Sequence, residues 1–198
     1  MILYHISQTL TAGDFLTPDG QNCTELCEPF VQALEYGKDC FMGMVLNAKY
    51  MYAVLNKFHL REWSNYAKWA TEGVFEYIRR KEFPNLVSRI NCVFYYADIE
   101  YSKKLYNEAF ADEPENERKK LRLFKVEVDE TQSDKRDMSL YDAAYDALCE
   151  NQDMNAVMGF ARKYYSGEHS EAPVWEYLSP VNSKILQDIT FVLRETDK

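Results

Sequence analysis

Three short segments, far apart in the chain, carry ionisable or hydrogen-bonding side chains inside or beside apolar, β-prone runs: Tyr4-His5, Ser88-Arg89-Ile90-Asn91-Cys92-Val93-Phe94 and Trp175-Glu176-Tyr177-Leu178. An ordinary half-buried strand has no use for such groups there, so their recurrence points to one composite site. Glu176 supplies a carboxylate that is costly to bury without a partner, although a Glu standing alone in a strand is more often a solvent-facing residue. His5 can titrate or hydrogen-bond, or serve as a structural residue. It has no second His or Cys at ligand spacing nearby, and His59 and His169 make no recognisable pair with it, so no metal is expected. Arg89 suits a phosphate or carboxylate, the alternative being a structural ion pair with one of the many acidic residues. If this stretch is extended, Arg89 and Asn91 point to one face and Ile90 and Cys92 to the other. Ser88 caps or turns the chain, and Tyr164 and Tyr165 belong either to the core or to the aromatic wall of a pocket.

The elements that must hold these residues are legible in outline. Met1–Ser7 reads as a strand feeding a Thr, Gly and Asp turn at 9–14, and Thr17-Pro18-Asp19-Gly20 is a second turn. From about Thr24 to Lys81 there is almost no Pro and little Gly, and side chains recur at helical spacing, as in Trp69, Gly73, Phe75, Glu76, Ile78 and Arg79; this predicts a mainly helical block over 24–82. Phe83-Pro84-Asn85 stops it. Ile90–Tyr96 is β-branched and aromatic enough for a strand, with Asp98 capping a helix to about Phe110. Asp112–Lys120 reads as a charged loop, and Leu121–Val128 as a strand with one wet face. Ser139 caps a helix to about Glu150, Met154–Tyr165 forms another, and Ser166-Gly167-Glu168-His169 breaks it. Val174–Leu178 and Ile185–Leu193 finish as strands. The chain shows no repeat or linker, so the expectation is one α+β domain over 1–198 with a mixed or antiparallel sheet and inserted helices.

A fraction of 46% hydrophobic residues with 15% aromatics is enough for a sizeable core, and the formal charge of −9 argues against a broad basic footprint for nucleic acid or anionic lipid. Arg79-Arg80-Lys81 and Arg118-Lys119-Lys120 with Arg122 read as solvated faces that could still guide an RNA or DNA strand. The apolar stretches are too short to span a membrane. The five cysteines make no paired CxxC framework, and with no signal peptide the chain reads as cytoplasmic, with reduced thiols that serve packing.

Tyr4-His5 on the first strand, Phe83-Pro84-x-x-x-Ser88-Arg89-x-Asn91-x-Val93-Phe94, and Tyr164-x-Ser166-Gly167 followed by Trp175-Glu176-x-Leu178 together resemble the ADP-ribosyltransferase-like superfamily. The nearer likeness is to uncharacterised bacterial and phage proteins of that superfamily, and it spans the whole chain. The resemblance implies a bent, split β-sandwich holding NAD as co-substrate, with Glu176 as the catalytic glutamate and His5, beside Tyr4, on the NAD ribose. Arg89 would neutralise pyrophosphate or hold the ribose side, Ser88 and Asn91 would support the pocket, Phe94 or Tyr95 would stack on nicotinamide, and Tyr164 would line the wall. No Ser-Thr-Ser run is present, and Val174 stands where the arginine-modifying branch has Glu or Gln, which disfavours arginine as acceptor. The implied activity is transfer of ADP-ribose to a protein or single-stranded nucleic acid, as a toxin, defence or phage effector. A protein partner such as an antitoxin would fit the helical block. The alternatives are an NAD hydrolase, or a non-catalytic interaction module that keeps the fold.

Overall fold

The computed structural model describes residues 1–18, 22–54, 60–108, 114–150 and 153–194. The Asp19-Gly20 part of the second turn, residues 55–59 of the helical block with His59, Phe110 at the expected helix end, and Asp112 lie outside the described residues. The described elements, in chain order, are β1 (Ile2–Ser7), β2 (Phe15–Leu16), α1 (Thr24–Tyr36), α2 (Lys38–Val54), α3 (Leu60–Glu82), a 3-10 turn (Arg89–Asn91), β3 (Val93–Tyr96), α4 (Ile99–Glu108), α5 (Glu115–Arg118), β4 (Arg122–Glu127), a 3-10 turn (Glu130–Gln132), β5 (Asp134–Asp137), α6 (Met138–Cys149), α7 (Met154–Ser166), β6 (Trp175–Ser179), β7 (Ser183–Asp188) and a 3-10 turn (Thr190–Arg194). The class is α+β, with a seven-stranded antiparallel sheet in the order β2-β7-β4-β1-β3-β6-β5. No helix among the described residues is long and apolar enough to cross a membrane.

The chain divides into two compact units. A sheet unit comprises Met1–Gln21, Cys92–Lys135 and Val174–Lys198, and a helical unit comprises Asn22–Asn91 and Arg136–Pro173. The helical part is thus larger than the 24–82 block expected from sequence, because α6 and α7 belong with α3.

In the sheet unit both faces are covered. Leu3, Val93, Tyr95, Phe124, Val126 and Ile185 build the core on one face, while Leu123, Ile189 and Leu193 pack on the other with Tyr4, Ile6, Ile99 and Tyr106. This explains why β4 departs from the expected single wet face: its apolar alternation changes phase at Leu123-Phe124, and each of these residues serves a different face. Two further expectations shift. Asp188 accepts a hydrogen bond from the Thr190 backbone N–H at 2.9 Å, an Asx turn that ends β7 and starts the 3-10 turn where a strand to Leu193 was expected. Part of the expected loop at 112–120 is the short helix α5.

In the helical unit, Gly37 with φ 133° separates α1 from α2, and Gly167 with φ 85° closes α7 in the left-handed conformation that favours glycine. The N-cap of α6 is Asp137 rather than Ser139: its carboxylate accepts from the Ser139 N–H at 3.0 Å and from the Ser170 N–H at 2.7 Å. Helix α3 buries Ala67, Ala70, Val74, Phe75 and Ile78, and α1 approaches it closely at Gly73. A Cβ on Gly73 would lie 2.5 Å from Phe30 Cβ. Helix propensity alone favours Ala over Gly by about 1 kcal/mol, whereas overpacking a close helix contact costs about 1–3 kcal/mol. Gly73→Ala is therefore expected to lower the urea midpoint of unfolding, and a raised midpoint would contradict this α1–α3 packing.

Candidate active site

Strand register decides which candidates of the sheet unit can act together. Tyr4 pairs with Tyr96 across β1–β3, and Tyr96 pairs with Glu176 across β3–β6. Cross-strand partners share a face, so Tyr4, Tyr96 and Glu176 form a row, with Phe94 one alternation away on the same face. Glu176 is 1% exposed. The fold therefore places this carboxylate inside, not on the solvent-facing side that a lone strand glutamate usually takes. Its neighbours Trp175 and Tyr177 point the other way, where Lys135 Nζ lies 4.1 Å from the Trp175 ring centroid and 6.0 Å from that of Tyr177.

His5 belongs by alternation to the opposite face, with Leu3 and Tyr95. Six consecutive residues of β1 pair with β4 and four of β3 pair with β6, whereas among the described residues the β1–β3 strand register is the one position Tyr4–Tyr96. Beyond that joint the His5 side chain takes over: its Nδ1 lies 2.9 Å from the Phe94 carbonyl oxygen, and its ring centroid is 5.9 Å from that of Tyr95. A carbonyl can only accept, so Nδ1 carries the hydrogen and Nε2 keeps its lone pair. Burial, offset in part by this bond, holds the His5 pKa below its usual value, so the ring is neutral near pH 7. Tyr95 is closed inside the core, and burial pushes its hydroxyl up to about 12. A ring with no exposed face cannot stack on a ligand, which leaves Phe94, half-buried, for that role.

Ser88, Arg89, Asn91 and Tyr164 lie in the helical unit and are accounted for there. The segment 89–91 is a 3-10 turn, in which residues two apart diverge around the axis, so the expected common face is lost: Arg89 is buried and Asn91 exposed. The Arg89 guanidinium grips Glu72, with Nε 3.0 Å from Oε2 and Nη2 3.2 Å from Oε1, and its Nη1 donates to the Tyr164 hydroxyl at 2.7 Å. The Tyr141 and Tyr164 rings flank it at 4.3 and 5.1 Å. One turn along α3, Glu76 accepts from Ser88 Oγ at 2.8 Å, from Arg79 at 2.7 and 2.9 Å, and from Arg80 at 2.8 Å. Burial works against the Glu76 charge, but the bonds from Arg79, Arg80 and Ser88 outweigh it and hold the carboxyl below its usual range. Ser88-Arg89 thus docks on two carboxylates spaced i, i+4 along one helix. Those two acids on an apolar helical stripe were visible in the sequence, but their partners were not. Tyr164 and Tyr165 are both core, the latter stacked on Phe83 at 5.9 Å. The thiols fit packing: burial, with Glu72 adding to it, pushes Cys27 up to about 12, and all five cysteines are free of disulfides.

A family model described as a protein of unknown function, DUF2441, matches residues 3–191. The chain belongs to this DUF2441 family. The match begins beside Tyr4-His5 and runs past Glu176, so all three segments singled out above lie within it. No curated protein matches the chain.

The Arg89–Glu72 pair is expected to hold the helical unit together. Its side chains are only 5% and 6% exposed, and removing one partner of a buried pair costs about 3–5 kcal/mol because the other charge is left uncompensated. Arg89→Met should lower the unfolding free energy by that order, and Glu72→Met in the same chain should recover most of it. An Arg89→Met protein as stable as the wild type would show that the guanidinium is free for a ligand.

Proposed function

We propose that the chain transfers ADP-ribose from NAD to a macromolecular acceptor, protein or nucleic acid, on a bent, split β-sheet of the ADP-ribosyltransferase type. The observation that carries this reading is the buried Glu176 in register with the single β1–β3 joint at Tyr4 and Tyr96. A buried carboxylate in an apolar strand is expensive, and such groups gather where their charge is used. The opened β1–β3 pairing beside it supports the split expected of that fold. NAD on the Glu176 face would meet the Phe94 ring for nicotinamide, and His5, on the opposite face, would offer its Nε2 lone pair to a ribose hydroxyl only from across the split.

In the reaction, the bond between ribose C1′ and the nicotinamide nitrogen breaks with both electrons going to the cationic ring, which leaves as neutral nicotinamide. The ribose develops oxocarbenium character, which the Glu176 carboxylate near the 2′-hydroxyl stabilises. The acceptor oxygen or nitrogen then bonds to C1′ and gives up its proton. Five free cysteines suit a reducing cytoplasm as the setting.

A second reading, a binding module for an antitoxin or other protein, is favoured by exposed apolar side chains on α1 and α2, among them Leu26, Tyr36, Leu46, Tyr50 and Met51. The discriminating experiment incubates wild type and Glu176→Gln with labelled NAD and cell lysate, then treats the product with protease or nuclease. Label transfer that falls about 10²–10³-fold in Glu176→Gln is the expected result, that being the usual loss when one preorganised electrostatic group is removed. Nicotinamide release without label transfer would make the protein an NAD hydrolase. Neither product, with partner capture unchanged in Glu176→Gln, would move the assignment to the binding module.

A further inference from the structure

A cluster of basic side chains lines two adjoining clefts in the sheet unit. One cleft, of about 580 Å³, is lined by Tyr106, Glu115, Arg118, Lys119 and Arg194, and the second, of about 450 Å³, shares Lys119 and Arg194 with it and adds Lys120, Arg122 and Asp188 together with Gln8 and Thr190. Arg118 lies over Tyr106 at 4.6 Å, and its Nη2 donates to neutral oxygens, Asn107 Oδ1 at 3.1 Å and the Tyr106 carbonyl at 3.4 Å. Its Nε is buried without a partner. Arg194 Nη2 donates to the Lys119 carbonyl at 3.4 Å. Among the described residues neither guanidinium has a carboxylate partner.

The remaining cations differ in how readily they can be released. Lys119 pairs with Glu115 and Lys120 with Glu117 within the same short helical turn, and these side chains are well exposed. Such pairs are worth about 0–1 kcal/mol, so a phosphate can replace either carboxylate at little cost. Arg122 is anchored by Asp188 and the Leu10 carbonyl and stays a lining residue. The lining carboxylates Glu115 and Asp188 are taken up by Lys119 and Arg122, which leaves two guanidiniums with neutral partners and two exchangeable ammonium groups beside them. Guanidinium forks match phosphate oxygens in geometry and charge.

We propose that this two-lobed cleft holds the backbone of a single-stranded nucleic acid. Two lobes joined at Lys119 and Arg194 fit successive phosphates better than one isolated anion. A concave track on a chain of net charge −9 fits a flexible strand rather than the broad face of a duplex, which calls for an extended basic footprint. The inference stands whether or not NAD is consumed; where both hold, the strand is the acceptor.

The test is fluorescence anisotropy of the full chain with labelled oligo(U) and oligo(dT) of about 20 nucleotides, longer than the usual single-strand site. Saturable binding is expected, with log K falling against log salt by about 0.7 per phosphate contact. Arg118→Gln with Arg194→Gln should weaken it about tenfold and flatten the salt slope by about two contacts, with Tm unchanged. The exposed pair Lys119→Glu and Lys120→Glu, which leaves the fold alone, should weaken it as well. Absence of saturable binding, tighter binding of a duplex of equal length, binding unchanged in both double variants, or binding of inorganic pyrophosphate only would each overturn the proposal.

Discussion

The bond from the His5 ring to the Phe94 carbonyl links β1 and β3 beside the register position Tyr4–Tyr96. Elsewhere β1 is tied along its length to β4 and β3 along its length to β6, but between β1 and β3 the main chain contributes one paired position. A neutral imidazole that donates to a carbonyl across that opening adds about 1 kcal/mol and, more importantly, fixes its own tautomer. The same bond therefore leaves Nε2 as an acceptor, on the face of the sheet opposite the row of Tyr4, Tyr96 and Glu176. The structural role of His5 and the ligand-binding role proposed for it rest on one contact.

Charge is handled differently in the two units. In the helical unit, the buried carboxylates of α3 have cationic partners: Glu72 is held by Arg89, and Glu76 by Arg79 and Arg80 together with the Ser88 hydroxyl. Such matched networks specify how a segment docks, since a misplaced member leaves a buried charge uncompensated. In the sheet unit, by contrast, the guanidiniums of Arg118 and Arg194 bond only neutral oxygens. The first pattern is that of architecture, and the second is the one on which the proposed phosphate-binding cleft rests.

How much of this was legible in the sequence follows from the range of each interaction. Strands at Met1–Ser7 and Val174–Leu178, the helix over Met154–Tyr165 and the break at Ser166-Gly167 rest on local periodicity and turn chemistry, and the structure holds them within a residue or two; the helical block over 24–82 is held as well, divided into α1, α2 and α3. The edge strand β5, Asp-Lys-Arg-Asp, was invisible because it has no apolar period and owes its form to pairing with β6. Asn91 was expected to share a face with Arg89, but the polar Ser88-Arg89 pair is drawn onto Glu72 and Glu76 of α3, and the chain tightens into a 3-10 turn. Tyr95 illustrates the same limit: an aromatic residue next to Phe94 looks equally able to stack on a ligand until register sends it into the core. Glu176 was legible as an anomaly, and only the fold shows it to be buried.

The most direct measurement on the central claim is the long-range ¹⁵N–¹H NMR spectrum of the His5 ring, identified by its loss in His5→Gln, recorded with and without NAD. The ring is expected as the Nδ1–H tautomer, neutral down to pH values below 6.5 because burial lowers its pKa, with the Nε2 resonance shifting as NAD is added. An Nε2–H tautomer, or an Nε2 resonance that saturating NAD leaves unmoved, would contradict a site for NAD at the β1–β3 split.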